Sequence, residues 1–367
     1  MQNFPFSIFD FQLFFVSLQR ISQINMLCED LHSTLPPIIA GYEQVCFVAD
    51  EKVVSQLEVL PGYCKGNTLS LPVPESSKTL DTVTRIWDFL FEKGITRRGL
   101  LVAVGGGVLT DLAGFAAATY KRGIHYLNIP TTLLAMVDAS TGGKTGFNYH
   151  GLKNSIGTFY PPAETLIWPG WLKTLPSDQF LSGFAEMLKT GLLNTKLWPQ
   201  LLQYDLNTIP LDILTPLIGQ SVAVKERIVA ADPMEQGLRK ALNLGHTFGH
   251  ALEEIQMANS QSSNHPFLHG YAVLYGMIAA LYLSVTKLRC SKAPLQQLTQ
   301  IMLHYYGRPQ CKCSDLDALV ALMQQDKKNE RAAQINCTLI RSVGSPVINQ
   351  IITPGEAREA LEYLFSL

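Results

Sequence analysis

The densest chemistry in the chain lies in one short stretch. His246, His250, His265 and His269 are four of its eight histidines. His246 and His250 stand four apart in the run Leu-Gly-His-Thr-Phe-Gly-His-Ala-Leu-Glu-Glu, which reads as helix, so both imidazoles leave one face. His265 and His269 follow a polar loop of Asn, Ser and Gln. Imidazoles at this density suit a divalent ion, and a catalytic site keeps three protein ligands and one open position. The plainer alternative is a helix with two satisfied histidines and an unrelated second pair. A carboxylate from elsewhere would favour the ion, and Glu186 is a candidate. In Ser-Gly-Phe-Ala-Glu-Met-Leu-Lys it shares a helical face with Lys189, and the apolar surroundings favour a buried pair over a surface one, since buried charges need partners.

A second polar set comprises Lys225, Glu235, Arg239 and Asn243, with Lys327 in Met-Gln-Gln-Asp-Lys-Lys and Arg122 earlier in the chain. If these cations converge, in a protein of net charge −1, the substrate is a small polyanion. Gly105-Gly106-Gly107 joins an apolar run to an Ala-rich helix. Glycines there let the backbone approach a pyrophosphate, and the helix N-terminus offers N–H groups and a positive dipole end. The triplet is not the usual G-x-G-x-x-G fingerprint, and three glycines also serve a tight turn. A second glycine-rich loop, residues 141–146, follows Asp138 and carries Lys144, but it lacks the first glycine of a Walker loop. Lys144, Lys153 and Asn154 could meet a phosphate or carboxylate, although each lysine alone reads as a solvated surface residue.

The elements that must position these residues fall into two kinds. Strand-like runs at 44–49, 69–73, 100–104 and 124–129 alternate with helical patterns at 53–60, 79–92 and 108–120, which predicts an α/β domain with a parallel doubly wound sheet. Beyond about residue 170, helical patterns dominate, at 180–193, 211–230 and 269–287. A proline-rich stretch, 161–171, places the boundary, giving domains 1–168 and 169–367. With 367 residues, 47% hydrophobic and 16% charged, the chain can bury two cores and shows neither the basic excess of a nucleic-acid binder nor an uninterrupted apolar run of membrane length. Seven scattered cysteines suggest no disulfide framework and fit a reducing cytoplasm; Cys311 and Cys313 are too close for the usual zinc pairing. Residues 1–40 are atypical. The apolar stretch 11–18 has Asp10 before it and no basic residue, which argues against a secretory signal. It is expected to pack on the first domain as helix or strand, unless translation begins at Met26.

Together the motifs resemble the 3-dehydroquinate synthase family of sugar phosphate cyclases, from about residue 44 to the C-terminus. The resemblance rests on Gly-Gly-Gly-Val-Leu-Thr-Asp at 105–111, Lys-Arg-Gly at 121–123, Pro-Thr-Thr-Leu-Leu at 130–134 and the run 138–148. It continues through Lys153-Asn154, Leu-Lys-Thr-Leu-Pro at 172–176, 182–189, Glu-Gln-Gly-Leu-Arg at 235–239, 243–253 and His269-Gly270. Any one motif is weak, but so many in the right order are specific.

The resemblance implies a Rossmann-like NAD-binding domain and an α-helical metal-binding domain with the active site between them. It implies Glu186, His246 and His269 as ligands of one divalent ion, zinc or cobalt. That replaces a pairing of His246 with His250, makes His250 a substrate-site residue and gives His265 no role. Its NAD positions fall on Asp50, Glu75, Lys78, Gly105, Gly106, Gly107, Val108, Leu109, Thr110, Asp111, Thr131, Thr132, Lys144, Lys153, Leu172, Lys173 and Thr174. Substrate positions fall on Asp138, Lys144, Asn154, Lys189, Lys225, Glu235, Arg239, Asn243, His250 and Lys327. Arg122 matches an arginine that reaches the neighbouring subunit's site, implying a homodimer. The family's reaction turns 3-deoxy-D-arabino-heptulosonate 7-phosphate into 3-dehydroquinate and phosphate, by alcohol oxidation with NAD, phosphate loss, re-reduction, ring opening and aldol-type closure. Tyr271 stands where the family usually has Glu after His-Gly.

Overall fold

Strands buried on both faces read as continuous apolar runs, and Leu100–Gly105 is buried at all six of its positions. In the computed structural model, which describes residues 24–57, 65–150, 152–259, 267–309, 315–325 and 334–367, this strand lies inside a six-stranded sheet. The chain divides into two compact units. The first comprises the residues up to Pro130 together with Ser140–Trp168; the second comprises Thr131–Ala139 and Pro169–Leu367. One unit boundary falls between Trp168 and Pro169, and Thr131–Ala139 packs with the second unit.

In the first unit the strands are β1 (Ile24–Leu27), β2 (Val45–Asp50), β3 (Thr68–Leu71), β4 (Leu100–Gly105), β5 (His125–Pro130), β6 (Lys144–Tyr149), β7 (Leu152–Phe159) and β8 (Glu164–Ile167). The main sheet has the order β1-β8-β5-β4-β2-β3, every pairing parallel. β6 and β7 form a separate antiparallel hairpin. From β3 to β8 the order is that of flavodoxin-like sheets, 2-1-3-4-5, rather than the 3-2-1-4-5-6 of the dinucleotide fold, with β1 added at the far edge. Its switch point lies between β2 and β4, where ligands of such sheets bind, outside the carboxyl ends of the strands. The helices are α1 (Leu31–Ile39), α2 (Val54–Leu57), α3 (Leu80–Glu92) and α4 (Gly107–Thr119). Thr79 caps α3 through the amide of Thr82. Val83, Ile86 and Leu90 of α3 and Leu109, Leu112, Ala113 and Ala116 of α4 share one core cluster with Cys46, Val48, Leu101 and Ala103 of the sheet.

Three expectations shift. The helix read at 53–60 is only the short α2 among the described residues, with 58–64 outside them. The atypical segment contributes a sheet strand, β1, and a helix, α1, capped by Asp30; the stretch 11–18 lies outside the described residues. Helix α4 ends at Thr119 because Lys121 and Arg122 both take left-handed backbone angles.

The second unit contains α5 (Ser177–Leu192), α6 (Leu197–Leu201), α7 (Leu211–Ala231), α8 (His246–Asn259), α9 (His269–Leu288), α10 (Ala293–Ile301), α11 (Leu316–Gln325) and α12 (Pro354–Ser366). It also carries an antiparallel hairpin, β9 (Ile335–Ser342) and β10 (Ser345–Ile352), which the helical reading missed. Its signal was present: two apolar-rich runs separated by Val343-Gly344, with Gly344 at φ +79°. Among the described residues α9 alone has the length and apolarity of a membrane span, with a mean hydropathy of 1.4 over its best window. Two thirds of that window is buried in the protein, where α9 packs against α5, α8 and β9. It is a core helix.

Candidate active site

Helix α5 is buried without interruption from Leu181 to Leu192, so Glu186 and Lys189 sit inside the second unit. Both oxygens of the Glu186 carboxylate face ionisable side chains. Its contacts are ionic: Oε2 meets the Lys189 ammonium, while Oε1 lies 3.7 Å from His246 Nε2 and 3.5 Å from His269 Nε2. The three donor atoms all lie within 4.8 Å of one another. Ligands held ~2.1 Å from a tetrahedral ion are about 3.4 Å apart, so the carboxylate-to-imidazole spacings fit an ion with little adjustment. The outer ring nitrogens are engaged too, His246 Nδ1 with the carbonyl of Leu244 at 3.3 Å and His269 Nδ1 with Glu253 Oε2 at 3.5 Å. In a neutral ring whose Nδ1 is the donor, Nε2 is the lone-pair nitrogen, the usual arrangement of ion-binding histidines. Burial by itself would lower the His269 pKa, but Glu253 and Glu186 push it up to about 10.

Backbone contact brings the three helices this close. A Cβ on Gly270 would stand 1.9 Å from the carbonyl oxygen of Ser182, so only glycine lets the start of α9 lie against α5. The amide of Gly270 donates to Ser182 Oγ at 3.0 Å, which caps α9 from a neighbouring helix where Leu268 offers no side-chain cap. Gly276 meets the Gly245 carbonyl in the same way, at 2.0 Å from its would-be Cβ, and Gly245 takes φ +81° in the turn that starts α8. His250 lies one helical turn beyond His246, with ring centroids 5.3 Å apart and 6.2 Å from His269. It stands beside the converging donors, not among them. Tyr271 turns its ring to Tyr306, edge-on at 4.9 Å.

A cluster of cations adjoins the trio. Asp138 sits in the π-helical turn Ala135–Ala139. Lys225 Nζ donates to its backbone oxygen at 2.6 Å and to Oδ1 at 2.7 Å; Lys189 approaches Oδ1 at 3.4 Å. Burial would raise the Asp138 pKa, yet Lys189 and Lys225, with a weaker contribution from His269, hold it well below the usual carboxylate range. Burial lowers the pKa of Lys225, while the neighbouring carboxylates Asp138 and Glu186 outweigh burial at Lys189 and raise it. The buried Arg239 donates to the carbonyl of Pro233 at 2.6 Å, and Asn243 donates to Glu235 Oε1 at 2.8 Å. Thr131 is buried, Thr132 accepts from the amide of Ala135, and Leu172, Lys173 and Thr174 fall in the 3-10 turn Pro169–Thr174. Lys327 and His265 lie outside the described residues.

In the first unit, Asp50 closes β2 and Gly105-Gly106-Gly107 follows β4, so the two flank the switch point of the sheet. Gly106 is the N-cap of α4 and provides no side-chain cap, which suits a first turn that receives phosphate. Lys78, 5% exposed, bridges Asp111 Oδ2 and Asn154 Oδ1, each at 2.5 Å. Glu75 accepts from Asn148 at 3.0 Å and lies 4.0 Å from Lys153. Asn154 takes a left-handed φ of +48°. Lys144 opens β6 at the surface, and Arg122 is exposed.

Residues 68–182 match the 3-dehydroquinate synthase N-terminal family and residues 183–329 the 3-dehydroquinate synthase C-terminal family. A 3-dehydroquinate synthase of Parabacteroides distasonis is 42% identical over 348 residues, 92% of this chain and 96% of its own. This chain belongs to the 3-dehydroquinate synthase family. A 3-dehydroquinate synthase of Streptococcus pyogenes serotype M6 is 41% identical over 70% of this chain and 71% of its own. Among solved structures, the 2-epi-5-epi-valiolone synthase ValA of Streptomyces hygroscopicus, with NAD+ and Zn2+ bound, superposes with a TM-score of 0.81 at 29% identity, covering 94% of this chain and 97% of that one. Two members of the second-unit site in this synthase-family chain escaped the sequence reading, Ser182 and Glu253. Glu253 carried a signal in its position seven residues after His246, on the same helical face.

Proposed function

We propose that this chain is a 3-dehydroquinate synthase, converting 3-deoxy-D-arabino-heptulosonate 7-phosphate to 3-dehydroquinate and phosphate with NAD and one divalent ion. The observation that carries the reading is the trio Glu186, His246 and His269 joined through Lys189 to Asp138 and Lys225, in a chain 42% identical to a 3-dehydroquinate synthase over nearly all of that protein. Zinc or cobalt held by the trio would supply Lewis acidity that makes a bound alcohol easier to oxidise, and NAD a reversible hydride acceptor.

The chain's own residues then divide the work. Lys189 and Lys225 keep Asp138 ionised, so its carboxylate can accept a hydrogen bond from a substrate hydroxyl and fix its orientation. Arg239 and Lys327 serve the phosphate or carboxylate of a doubly anionic sugar acid, and Lys144 and Asn154 are further anion-binding positions. Asn243, set by Glu235, orients further hydroxyls, and His250, beside the ion ligands, can hold or pass a proton. In the first unit, Asp50, Glu75, Lys78, Lys153 and the turn from Gly105 to Asp111 receive NAD; Thr131, Thr132, Leu172, Lys173 and Thr174 are further NAD positions. Arg122 serves a second copy of the chain in a homodimer. The buried thiols of Cys28, Cys46, Cys290 and Cys337 suit a reducing cytoplasm.

The test is phosphate release from 3-deoxy-D-arabino-heptulosonate 7-phosphate with NAD and zinc or cobalt, before and after chelation. Release that needs both cofactors, without net NADH, is expected. Turnover of sedoheptulose 7-phosphate instead would keep the fold and move the substrate. Net NADH from a simple polyol would overturn the reading in favour of an alcohol dehydrogenase.

A further inference from the structure

Helix α8 brings more than one ligand to the trio. His246 opens it, and Glu253 follows two turns later on the same face, 4% exposed, with Oε2 3.5 Å from His269 Nδ1. Burying a carboxylate is costly unless it has a charged or hydrogen-bonding partner. Here it lies against the outer nitrogen of an imidazole whose inner nitrogen faces Glu186. His269 belongs to α9 and is the most exposed of the three candidate ligands, its side chain 30% accessible against 11% for His246 and 1% for Glu186. Packing therefore holds it least. His246 has a backbone carbonyl behind it, a fixed acceptor, whereas His269 depends on a side chain.

We infer that Glu253 is a positioning residue that orients His269, fixes its tautomer with Nε2 toward the ion, and strengthens it as a ligand. Glu253 acts through the imidazole and does not touch the reacting atoms. The inference rests on the assignment of Glu186, His246 and His269 as ion ligands. Carboxylates behind ion-binding histidines raise their basicity, and losing one weakens metal binding by about 10- to 100-fold.

The experiment measures affinity, not turnover. Full-length protein stripped by a chelator is titrated with Zn2+ against a competing chromophoric chelator, and with Co2+ while its visible absorption is followed. Wild type, His269→Ala, Glu253→Ala and Glu253→Gln are compared, with the melting temperature of each stripped protein as a folding control. Wild type should take one ion, His269→Ala should lose tight binding, and Glu253→Ala should bind about 10- to 100-fold more weakly with an altered cobalt band. Glu253→Gln, whose amide oxygen still accepts from Nδ1, should fall between and covers the case in which the alanine variant fails to fold. Wild-type affinity and cobalt spectrum in both Glu253 variants, with His269→Ala deficient, would overturn the positioning role alone. Full affinity in His269→Ala would overturn the ligand assignment itself.

Discussion

The two units build their sites by different means. In the first, the turn after β4 and the end of β2 lie at the switch point of a parallel sheet, and that turn offers backbone: glycines and the first turn of α4. In the second, the groups are side chains drawn from α5, α8, α9, α7 and the turn at Asp138, and most of them are buried. A backbone cradle is tolerant, because any chain that makes the strand-turn-helix presents it. A side-chain cluster is demanding, since each charge must find its partner in a low-dielectric interior and each helix must stand at the right distance. Lesions in the second unit should therefore cost both stability and ligand binding; lesions in the first should cost binding alone.

The largest effect is expected from Asp138→Asn, which leaves Lys225 and Lys189 without their shared carboxylate. Urea unfolding at neutral pH should show a loss of roughly 3 kcal/mol. The pH dependence has a definite sign. Because the folded-state pKa of Asp138 is depressed, its contribution is fully present above the ordinary carboxylate pKa near 4 and is lost as pH falls toward the lower folded value. The gap between wild type and variant should thus begin to narrow below about pH 4. A gap independent of pH would show that the cluster is not held by this charge.

Gly270→Ala comes next. The added methyl group cannot fit against the Ser182 carbonyl, so α9 must move from α5. A loss of about 1–3 kcal/mol in stability, with weaker zinc binding, is expected. Calorimetry together with chelator competition would check both, and unchanged zinc affinity would break the link between helix spacing and the trio. The smallest effect belongs to Gly105→Ala, whose Cβ meets mainly the flexible end of Leu109 at 2.7 Å. NAD affinity, followed by fluorescence titration, should fall roughly tenfold, about 1.4 kcal/mol, while zinc content stays that of wild type. Loss of zinc in that variant would erase the contrast between the two units.

Much of this is legible in the sequence. The apolar runs and glycine punctuation gave β2, β4, β5, α3 and α4 nearly to the residue, since a buried strand and an amphipathic helix each carry a local period. The β9–β10 hairpin was passed over because a short apolar run after many helices is ambiguous without its pairing partner. The segment Thr131–Ala139 packs with the second unit. Chain order placed it in the sheet domain, while its packing partner, α7, begins some 70 residues later.

By itself, the sequence determined the residue types and their order: a glycine triplet after a strand, histidines four apart on one helix, a glutamate and a lysine on another. Those are local properties, governed by backbone sterics and helical periodicity. It did not determine from spacing alone which histidine joins His246, and His250 looked as good as His269. That choice belongs to the tertiary structure. Gly270 and Gly276 let α9 approach α5 and α8 to backbone contact, which carries His269 to Glu186 and sets Glu253 behind it. A site built from buried side chains is fixed by how closely its helices pack, and packing is a property of pairs of helices that no single stretch of sequence displays.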